Sequence, residues 1–177
     1  MQLVTQIKNV IRDVKDFPRE GVLFKDITPI FSDAKLVADI VSHFVEAFRR
    51  ERVDAVVGIE ARGFIFGVLL AQAMNCPFVP VRKAGKLPYK TRRQEYTLEY
   101  GTSAVEMHID AVQPGWRVLI HDDVLATGGT ATAAGELVMA AGARLAGFCF
   151  ILNLRFLDGA KRIKERFEMA PHFLVEY

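Results

Sequence analysis

The sequence predicts an α/β protein whose mostly parallel central sheet is flanked by helices. Apolar runs of strand length alternate along the 177 residues with segments that have helical length and spacing. Strands that alternate with helices in this way form parallel sheets, and their ligands bind beyond the carboxyl ends of the strands. No repeat, low-complexity tract or linker interrupts the pattern. We therefore expect one domain that spans residues 1–177.

The first half of the chain predicts a helical entry, a loop and two strand–helix units. Apolar residues recur at helical spacing over 3–14, which predicts an amphipathic helix. Prolines and glycines in 16–33 indicate an irregular, partly buried loop. An apolar stripe over 36–48 predicts a long helix that Ser32 or Asp33 can cap. The elements predicted next are a strand at 53–59, a helix at 63–74 and a strand at 78–81.

The second half opens with a basic segment and continues with further strands and helices. Lysines and arginines crowd residues 83–94 around Gly85 and Pro88, which indicates a flexible loop, with a solvated surface as the alternative. Alternating residues at 96–100 and 105–109 predict two half-buried strands. The remaining predicted elements are strands at 118–120, 145–152 and 173–175 and helices at 130–141 and 159–166.

Composition and charge exclude several functional classes. The formal net charge is only +2, which gives no basis for general nucleic-acid binding. No segment approaches the ~18 consecutive apolar residues of a membrane helix, and the charged N-terminal stretch is unlike a signal peptide. Cys76 and Cys149 each lie among apolar residues, which favours buried free thiols over a disulfide or a redox pair. We expect a cytoplasmic protein with no membrane partner.

The segment VLIHDDVLATGGTATAAGEL, residues 118–137, combines two acids with a glycine pair. The sequence TGGT at 127–130 predicts a turn whose N–H groups and hydroxyls, with the helix dipole, hold a phosphate. The acids Asp122 and Asp123 are suited to accept hydrogen bonds from sugar hydroxyls. The spacing matches neither a Walker loop nor a dinucleotide-binding fingerprint. The segment therefore indicates a phosphorylated sugar, with a plain capped turn as the alternative.

This segment resembles the phosphoribosyl diphosphate (PRPP) motif of the type I phosphoribosyltransferases. The resemblance to the adenine phosphoribosyltransferases extends over about 16–153. It is carried, in order, by GVLFKDITP (21–29), GIEARGFIFG (58–67), VPVRKAGKLP (79–88), YTLEYGT (96–102) and HDDVLATGGT (121–130). The resemblance implies the type I fold with a small N-terminal hood at about 16–30 that binds the base. It also implies transfer of phosphoribose from PRPP to adenine, giving AMP and pyrophosphate through an oxocarbenium-like transition state.

The resemblance assigns a role to each candidate residue. Glu99 becomes an acid or base for the purine, and Arg62 a second catalytic residue. Without the resemblance, Glu99 is a plain outward-facing strand residue. The PRPP and AMP site comprises Asp122, Asp123, Ala126, Thr127, Gly128, Gly129 and Thr130. The pyrophosphate site comprises Glu60, Ala61, Arg62, Arg82, Lys83 and Lys86. The adenine site comprises Leu23, Phe24, Lys25, Val124 and Leu125.

The family also implies a cofactor and an assembly. Mg²⁺ is expected because PRPP carries a diphosphate, and the substrate supplies most of its oxygen ligands. The four histidines are scattered, so no protein-bound transition metal is expected. His121 is expected to be a satisfied strand histidine rather than a catalytic one. The family pairs as homodimers, which implies that part of the basic segment serves the neighbour's site.

Two other functions remain open from the sequence. A 6-oxopurine phosphoribosyltransferase keeps the PRPP loop but reads the base differently, often with a lysine side chain. A regulator that binds PRPP without catalysis is the second alternative. The chain has little net charge for a nucleic-acid-binding face, and it keeps Glu99 with the closing segment at 83–94, which favours catalysis.

Overall fold

The centre of the fold is a mixed sheet with the strand order β5-β6-β4-β3-β7-β8-β9, in a computed structural model that describes residues 2–97 and 101–177. The five strands from β4 to β9 in this order are parallel, while β5 and β6 extend the β4 edge in antiparallel pairing. The prediction of a mostly parallel sheet is therefore confirmed. The strands are β3 (Ala55–Ile59), β4 (Phe78–Lys83), β5 (Thr91–Thr97), β6 (Thr102–His108), β7 (Arg117–Leu125), β8 (Arg144–Asn153) and β9 (His172–Glu176).

Helices cover both faces of this sheet and bury its apolar side chains. One face packs against α4 and α5, through residues such as Leu137 and Ile163. The other face packs against α1, α2 and α3, through residues such as Ile7, Phe44 and Phe66. The helices are α1 (Gln2–Val10), α2 (Ala34–Ala47), α3 (Gly63–Ala73), α4 (Gly129–Ala140) and α5 (Gly159–Phe167). Both faces of the sheet are thus removed from water, as parallel strands require.

The N-terminal segment departs from its prediction. The helix ends at Val10, and two short antiparallel strands follow, β1 (Arg12–Lys15) and β2 (Leu23–Asp26). The prediction of a helix as far as residue 14 is wrong, because Val14 pairs with Phe24 across this ribbon. Pairing between distant residues outweighs local helical spacing here. The loop predicted at 16–33 accordingly contains β2 and a 3₁₀ turn at Thr28–Ser32.

The cap of α2 is Asp33. Its carboxylate accepts a hydrogen bond from the N–H of Leu36 at 3.0 Å, which satisfies one of the free donors of the first turn. Of the two residues that the sequence offered, Asp33 rather than Ser32 performs this role.

The flexible loop predicted at 83–94 is shorter than expected. Lys83 still belongs to β4, and β5 already begins at Thr91, so the irregular stretch covers only residues 84–90. The backbone of β5 pairs with β6 along its whole length, from Thr91 opposite His108 to Thr97 opposite Thr102. The sequence concealed this strand because basic residues occupy positions where an apolar alternation would have indicated it.

The strand before the two acids is also longer than predicted. β7 continues through them to Leu125, because Asp122 and Val124 keep their pairing with Phe150 and Leu152 of β8. Asp122 and Asp123 therefore lie within the strand and not in the loop that follows it. Neighbouring residues of a strand point to opposite faces, so the two carboxylates are directed differently.

Both cysteines are free thiols. Cys149 is fully buried and Cys76 half-buried, and neither forms a disulfide. Burial raises the pKa of the Cys149 thiol. None of the helices in residues 2–97 and 101–177 combines the length and the apolar character needed to cross a bilayer.

Candidate active site

Three connections at the carboxyl ends of neighbouring strands meet at one crevice. β3 lies between β4 and β7, and all three run in the same direction. Glu60 follows β3 directly, and its carboxylate contacts Arg82 of β4. Arg62, two residues further on, contacts Asp123 of β7. These contacts place the three connections beside one another at the carboxyl edge of the sheet, where ligands of such folds bind.

Arg62 and Asp123 form an ion pair at the base of the crevice. The Arg62 Nε lies 2.5 Å from Asp123 Oδ2, and the Asp123 side chain is only 6% exposed. Burial alone lowers the pKa of Arg62, but the Asp123 carboxylate outweighs this effect and the net pKa is raised. The Arg62 guanidinium also lies 5.6 Å from the centre of the Phe24 ring. This arginine thus links the acidic strand to the N-terminal ribbon.

Asp122 points to the other side of the strand and lines the phosphate-sized cavity. Its Oδ1 accepts the backbone N–H of Asp123 at 2.9 Å. A Cβ atom on Gly63 would lie 2.8 Å from the same oxygen, so α3 begins directly against this carboxylate. Loss of hydration, and next the negative charge of Asp123, raise the pKa of Asp122 well above its ordinary value. The two acids therefore differ in environment as well as in direction.

The glycine pair forms a cradle at the start of α4. Gly128 has φ of +75°, a left-handed conformation that glycine adopts without strain, and Gly129 is the first helical residue. A cavity of about 70 Å³ lies within this turn. Its walls are formed by residues 124–131 together with Asp122. Free N–H groups at a helix start and a small polar cavity suit a phosphate.

Two features of this cradle were not predicted from the sequence. A Cβ on Gly128 would lie 2.9 Å from the carbonyl oxygen of Gly159, so the start of α5 packs against the turn. A Cβ on Gly129 would meet the Tyr96 ring at 3.0 Å and the Arg162 guanidinium at 3.3 Å. Glycines in both partner segments were visible in the sequence, but their contact depends on the packing of α5. No local pattern announces it.

Two of the basic side chains predicted for pyrophosphate, those of Arg82 and Lys86, contact Glu60. Its carboxylate binds Arg82 through Nε at 3.2 Å and Lys86 through Nζ at 2.5 Å, and it accepts the backbone N–H of Lys83 at 3.1 Å. Arg82 also donates to the carbonyl oxygen of Lys86 at 2.9 Å. The Glu60-Ala61 peptide is cis. The structure thus brings Arg82, Lys86 and the Lys83 backbone to Glu60, while Arg62 pairs with Asp123 instead.

The N-terminal ribbon carries the predicted base-binding residues to the crevice. Phe24 and Lys25 are half-buried, and the Leu23 side chain is 48% exposed. Across the crevice, Val124 is half-buried, whereas Leu125 is 1% exposed and packs in the core. Of these two, Val124 is therefore the one that retains an accessible surface.

The Lys25 side chain faces away from the crevice. Its Nζ lies 2.6 Å from Asp13 and 4.1 Å from the centre of the Tyr177 ring, and the side chain is 12% exposed. An ion pair and a cation–π contact therefore hold it against β1 and the end of the sheet. Asp13 and Tyr177 were not predicted to support the ribbon, since neither belongs to a recognisable motif.

Glu99, the predicted acid or base, lies outside the described residues. The same holds for the neighbouring positions 98 and 100. The strands on either side are described, and Thr97 pairs with Thr102.

His121 occupies the core rather than the crevice. It is fully buried beside Phe44 and Phe66, and its Nδ1 lies 3.4 Å from Cys149 Sγ. The Nε2 atom has no hydrogen-bond partner among the described residues, so the histidine is less satisfied than the sequence suggested. Burial lowers its pKa to about 4. It is therefore neutral at physiological pH.

The described residues contain no cluster of three or more histidine, cysteine or acidic side chains able to hold a metal ion. Asp123 and Glu60 are both engaged by cationic side chains. The acid that lines the cradle is Asp122.

Comparison with known proteins agrees with this geometry. The family model of the phosphoribosyl transferase domain matches residues 27–170. The adenine phosphoribosyltransferase of Anaeromyxobacter dehalogenans strain 2CP-1 is 53% identical over 161 residues, which cover 91% of this chain and 94% of that protein.

Solved structures show the same relationship. The crystal structure of adenine phosphoribosyltransferase from Rhodothermus marinus superposes with a TM-score of 0.94 at 46% identity, covering 99% of each chain. The Saccharomyces cerevisiae enzyme, in complex with adenine and an imino-altritol bisphosphate, superposes with a TM-score of 0.90 at 39% identity, covering 98% of this chain and 99% of that one. The sheet order and crevice described above are thus those of the type I phosphoribosyltransferase fold, and the chain belongs to the adenine phosphoribosyltransferase family.

Proposed function

We propose that the crevice between β4, β3 and β7 transfers the 5-phosphoribosyl group of PRPP to adenine, giving AMP and pyrophosphate in purine salvage. The chain is an enzyme of the adenine phosphoribosyltransferase family. One observation supports the proposal above all others. The phosphate cradle at 127–130 and the cationic cluster around Glu60 flank the same two acids of β7. A sugar that carries phosphate groups at both ends requires this arrangement.

The cradle and the acids bind different parts of the PRPP molecule. Residues 126–130 hold the 5-phosphate through N–H groups and hydroxyls. Asp122, which lines the cradle cavity, accepts hydrogen bonds from ribose hydroxyls. Asp123 contributes chiefly through Arg62, which it holds in place at 2.5 Å. Arg62, Arg82, Lys83 and Lys86 bind the pyrophosphate, whose negative charge grows as the C–O bond breaks.

The base is held between Phe24 and Val124. The backbone of Leu23 and Lys25 reads the amino edge of adenine, because the Lys25 side chain is occupied by Asp13 and Tyr177. This occupation argues against a 6-oxopurine enzyme that reads the base with this lysine. The related yeast structure, which contains adenine, also supports adenine as the base.

Glu99 is assigned as the acid or base that serves the purine nitrogens. It follows Tyr96 by three residues, and the Tyr96 ring packs against the start of α4 beside the cradle. Closure of the basic segment at 83–94 excludes water, which otherwise hydrolyses PRPP.

Mg²⁺ is assigned to the substrate rather than to a protein cage. With Glu60 and Asp123 paired to cations, Asp122 is the acid of the cradle cavity. Few protein oxygens of this kind fit an ion that keeps waters and takes its other ligands from a diphosphate. When bound, the ion neutralises part of the charge on the pyrophosphate.

A homodimer is proposed from the apolar surface of α3. Ile65 and Val68 are 44% and 48% exposed, and other residues of α3 line an open apolar cleft of about 470 Å³ together with α2. In the proposed dimer, part of the basic segment at 83–94 serves the site of the neighbouring copy. Val68→Glu should give a monomer in sedimentation experiments, whereas Met139→Glu, the same kind of change at an exposed position of α4, should not.

The cytoplasm is the proposed location. Cys149 and Cys76 are unpaired thiols, as a reducing compartment allows.

The test is formation of AMP and pyrophosphate from PRPP and Mg²⁺ with adenine, hypoxanthine, guanine or xanthine offered separately. Turnover of adenine alone is expected. Comparable turnover of an oxopurine would contradict the base assignment. PRPP binding without turnover of any base would favour the regulator instead.

The role of Glu99 has a matched control in the strand β5, four residues earlier in the chain. Glu99→Leu should lower kcat by about 100-fold while PRPP still binds, since general acid–base catalysis contributes factors of this order. Glu95→Leu removes an exposed acid of β5 that pairs with Arg93 and should leave kcat nearly unchanged. Loss of PRPP affinity in the Glu99 variant would contradict the assigned role.

A further inference from the structure

The Glu60 carboxylate occupies the donors that a phosphate group needs. Its two oxygens receive hydrogen bonds from Arg82 Nε at 3.2 Å, from Arg82 NH2 at 3.4 Å and from Lys86 Nζ at 2.5 Å. The backbone N–H of Lys83 completes the set at 3.1 Å. Three different residues therefore converge on a single anion. A terminal phosphate of pyrophosphate presents oxygens of the same charge to the same donors.

The Glu60 side chain is 10% exposed, which makes its ionisation dependent on these partners. Burial works to raise its pKa, but the hydrogen bonds from Lys86 and Arg82 outweigh this and the net pKa is lowered. The carboxylate is therefore ionised at neutral pH. Its negative charge offsets one of the two positive charges of Arg82 and Lys86, which leaves a net charge of +1 on these three side chains.

The cations are free to exchange partners. The Lys86 side chain is 47% exposed, and the Arg82 side chain 34%. Between them Gly85 adopts φ of +81° with open space around it, so the turn does not obstruct a movement of Lys86. Glu60, in contrast, is attached directly behind β3 and is held at 10% exposure. The lysine can leave more readily than the carboxylate.

We propose that Glu60 is an internal counter-anion that competes with pyrophosphate for Arg82 and Lys86, and that it thereby determines how tightly the product is held. The inference rests on the proposed role of these two cations at the pyrophosphate subsite. Incoming PRPP must displace the carboxylate from at least part of its donors. When pyrophosphate leaves, the Glu60 carboxylate binds those donors again. The competition weakens binding of substrate and product alike and favours release of the product.

The decisive variant is Glu60→Gln, which keeps the size of the side chain and removes its charge. The net charge of the side chains at 60, 82 and 86 rises from +1 to +2. Pyrophosphate should therefore bind about tenfold more tightly, a change of about 1.4 kcal/mol. Binding should also weaken more steeply with added salt, because one more positive charge faces the ligand. Isothermal titration with pyrophosphate and Mg²⁺ at several salt concentrations measures both effects.

Glu106→Gln is the matched control. Glu106 accepts the backbone N–H of Gly85 at 3.0 Å in the same turn, and its α-carbon lies opposite that of Arg82 in the β4–β6 pairing. It forms no ion pair with Arg82 or Lys86 within 4.0 Å. The control therefore removes the same charge from the same neighbourhood without freeing a donor. Its pyrophosphate affinity should change by less than about twofold.

A second variant guards against instability of Glu60→Gln. In a Lys86→Met background, replacing Glu60 should tighten pyrophosphate binding by much less than it does in the parent, because one of the contested donors is gone. Product inhibition by pyrophosphate in the forward reaction gives an independent readout, and its inhibition constant should fall in Glu60→Gln. Thermal melting of each variant shows whether it is folded at the assay temperature.

The outcomes separate the inference from the function on which it rests. Equal or weaker pyrophosphate binding by folded Glu60→Gln would overturn the inference, since Glu60 would then hold the cations in position for the ligand. Failure of the parent protein to bind pyrophosphate at all would instead overturn the assignment of the subsite. Tighter binding by Glu60→Gln alone supports both.

Discussion

Asp122 and Asp123 are adjacent in one strand, yet their carboxylates have opposite relations to positive charge. Asp123 lies 2.5 Å from Arg62, whereas Asp122 accepts a backbone N–H and lines the phosphate cradle. The alternation of side chains along β7 produces this difference. Asp123 stabilises the fold around the site, and Asp122 is available to bind the ligand. The two positions should therefore respond to the same substitution with opposite signs.

Asp123→Asn should destabilise the protein by roughly 1–2 kcal/mol. The substitution leaves Arg62 partly buried without its counter-charge, and the estimate is below that for a fully buried pair because the arginine side chain is 42% exposed. Urea unfolding at pH 7 measures the change. Asp39→Asn breaks the exposed Lys35 pair on α2 and serves as the control, with an expected effect near zero. Equal losses in the two variants would contradict the structural role of Asp123.

Asp122→Asn should raise the free energy of unfolding at pH 7. Because the pKa of Asp122 is raised in the folded state, the unfolded chain gives up this proton first, and stability falls as the pH rises above the ordinary value of 3.8. The asparagine variant does not have this loss, so the difference in free energy of unfolding between variant and parent should disappear below about pH 3.8. Unfolding curves across this range measure it. The same variant should bind PRPP at least about tenfold more weakly, since a ribose acceptor is lost.

His121→Leu should make the protein less sensitive to acid. The unfolded histidine binds a proton near pH 6.5, but the folded one does so only near pH 4. Stability is therefore lost as the pH falls from 6.5 through 4, by roughly 3 kcal/mol in total. The difference between parent and variant should change by roughly 2 kcal/mol between pH 7.5 and pH 5. The pH profile of kcat should not move, and a shift in it would indicate a catalytic role for His121.

Gly128→Ala should impair both folding and PRPP binding. The added Cβ meets a left-handed backbone conformation and also lies 2.9 Å from the Gly159 carbonyl oxygen. Gly115→Ala is the control, because it has φ of +85° but nothing within 4 Å of the new atom. Strain of about 1 kcal/mol is common to both, so the excess in Gly128→Ala measures the packing of the cradle. Equal melting temperatures would show that the α5 contact gives way without cost.

The elements that the sequence predicted best are those with an uninterrupted apolar run. The strand predicted at 53–59 is β3 (Ala55–Ile59), and the helix predicted at 130–141 is α4 (Gly129–Ala140). Burial on both faces of the sheet leaves no freedom for polar residues in such segments, so composition alone reveals them. The glycine pair likewise indicated the cradle, because its function depends on the absence of side chains.

The elements that escaped prediction are held by distant partners. β1 (Arg12–Lys15) and the first half of β5 are polar, and they are strands because β2 and β6 offer them a backbone ladder. The pairing of Glu60 with Lys86 spans 26 residues and is not visible in the local sequence. The support of Lys25 by Tyr177 depends on the sheet bringing its last strand beside the ribbon. Such features require the tertiary structure.

The close approach of Gly159 to Gly128 has a consequence for engineering. A side chain at 159 would press within 2.9 Å of the Gly128 nitrogen, so the connection between β8 and α5 behaves as the back wall of the ligand cradle although it lies far along the chain. A library that randomised residues 154–160 as a surface loop would alter substrate affinity without touching any residue that binds the substrate. Grafting between relatives should therefore exchange this connection together with residues 126–130, as one inseparable unit.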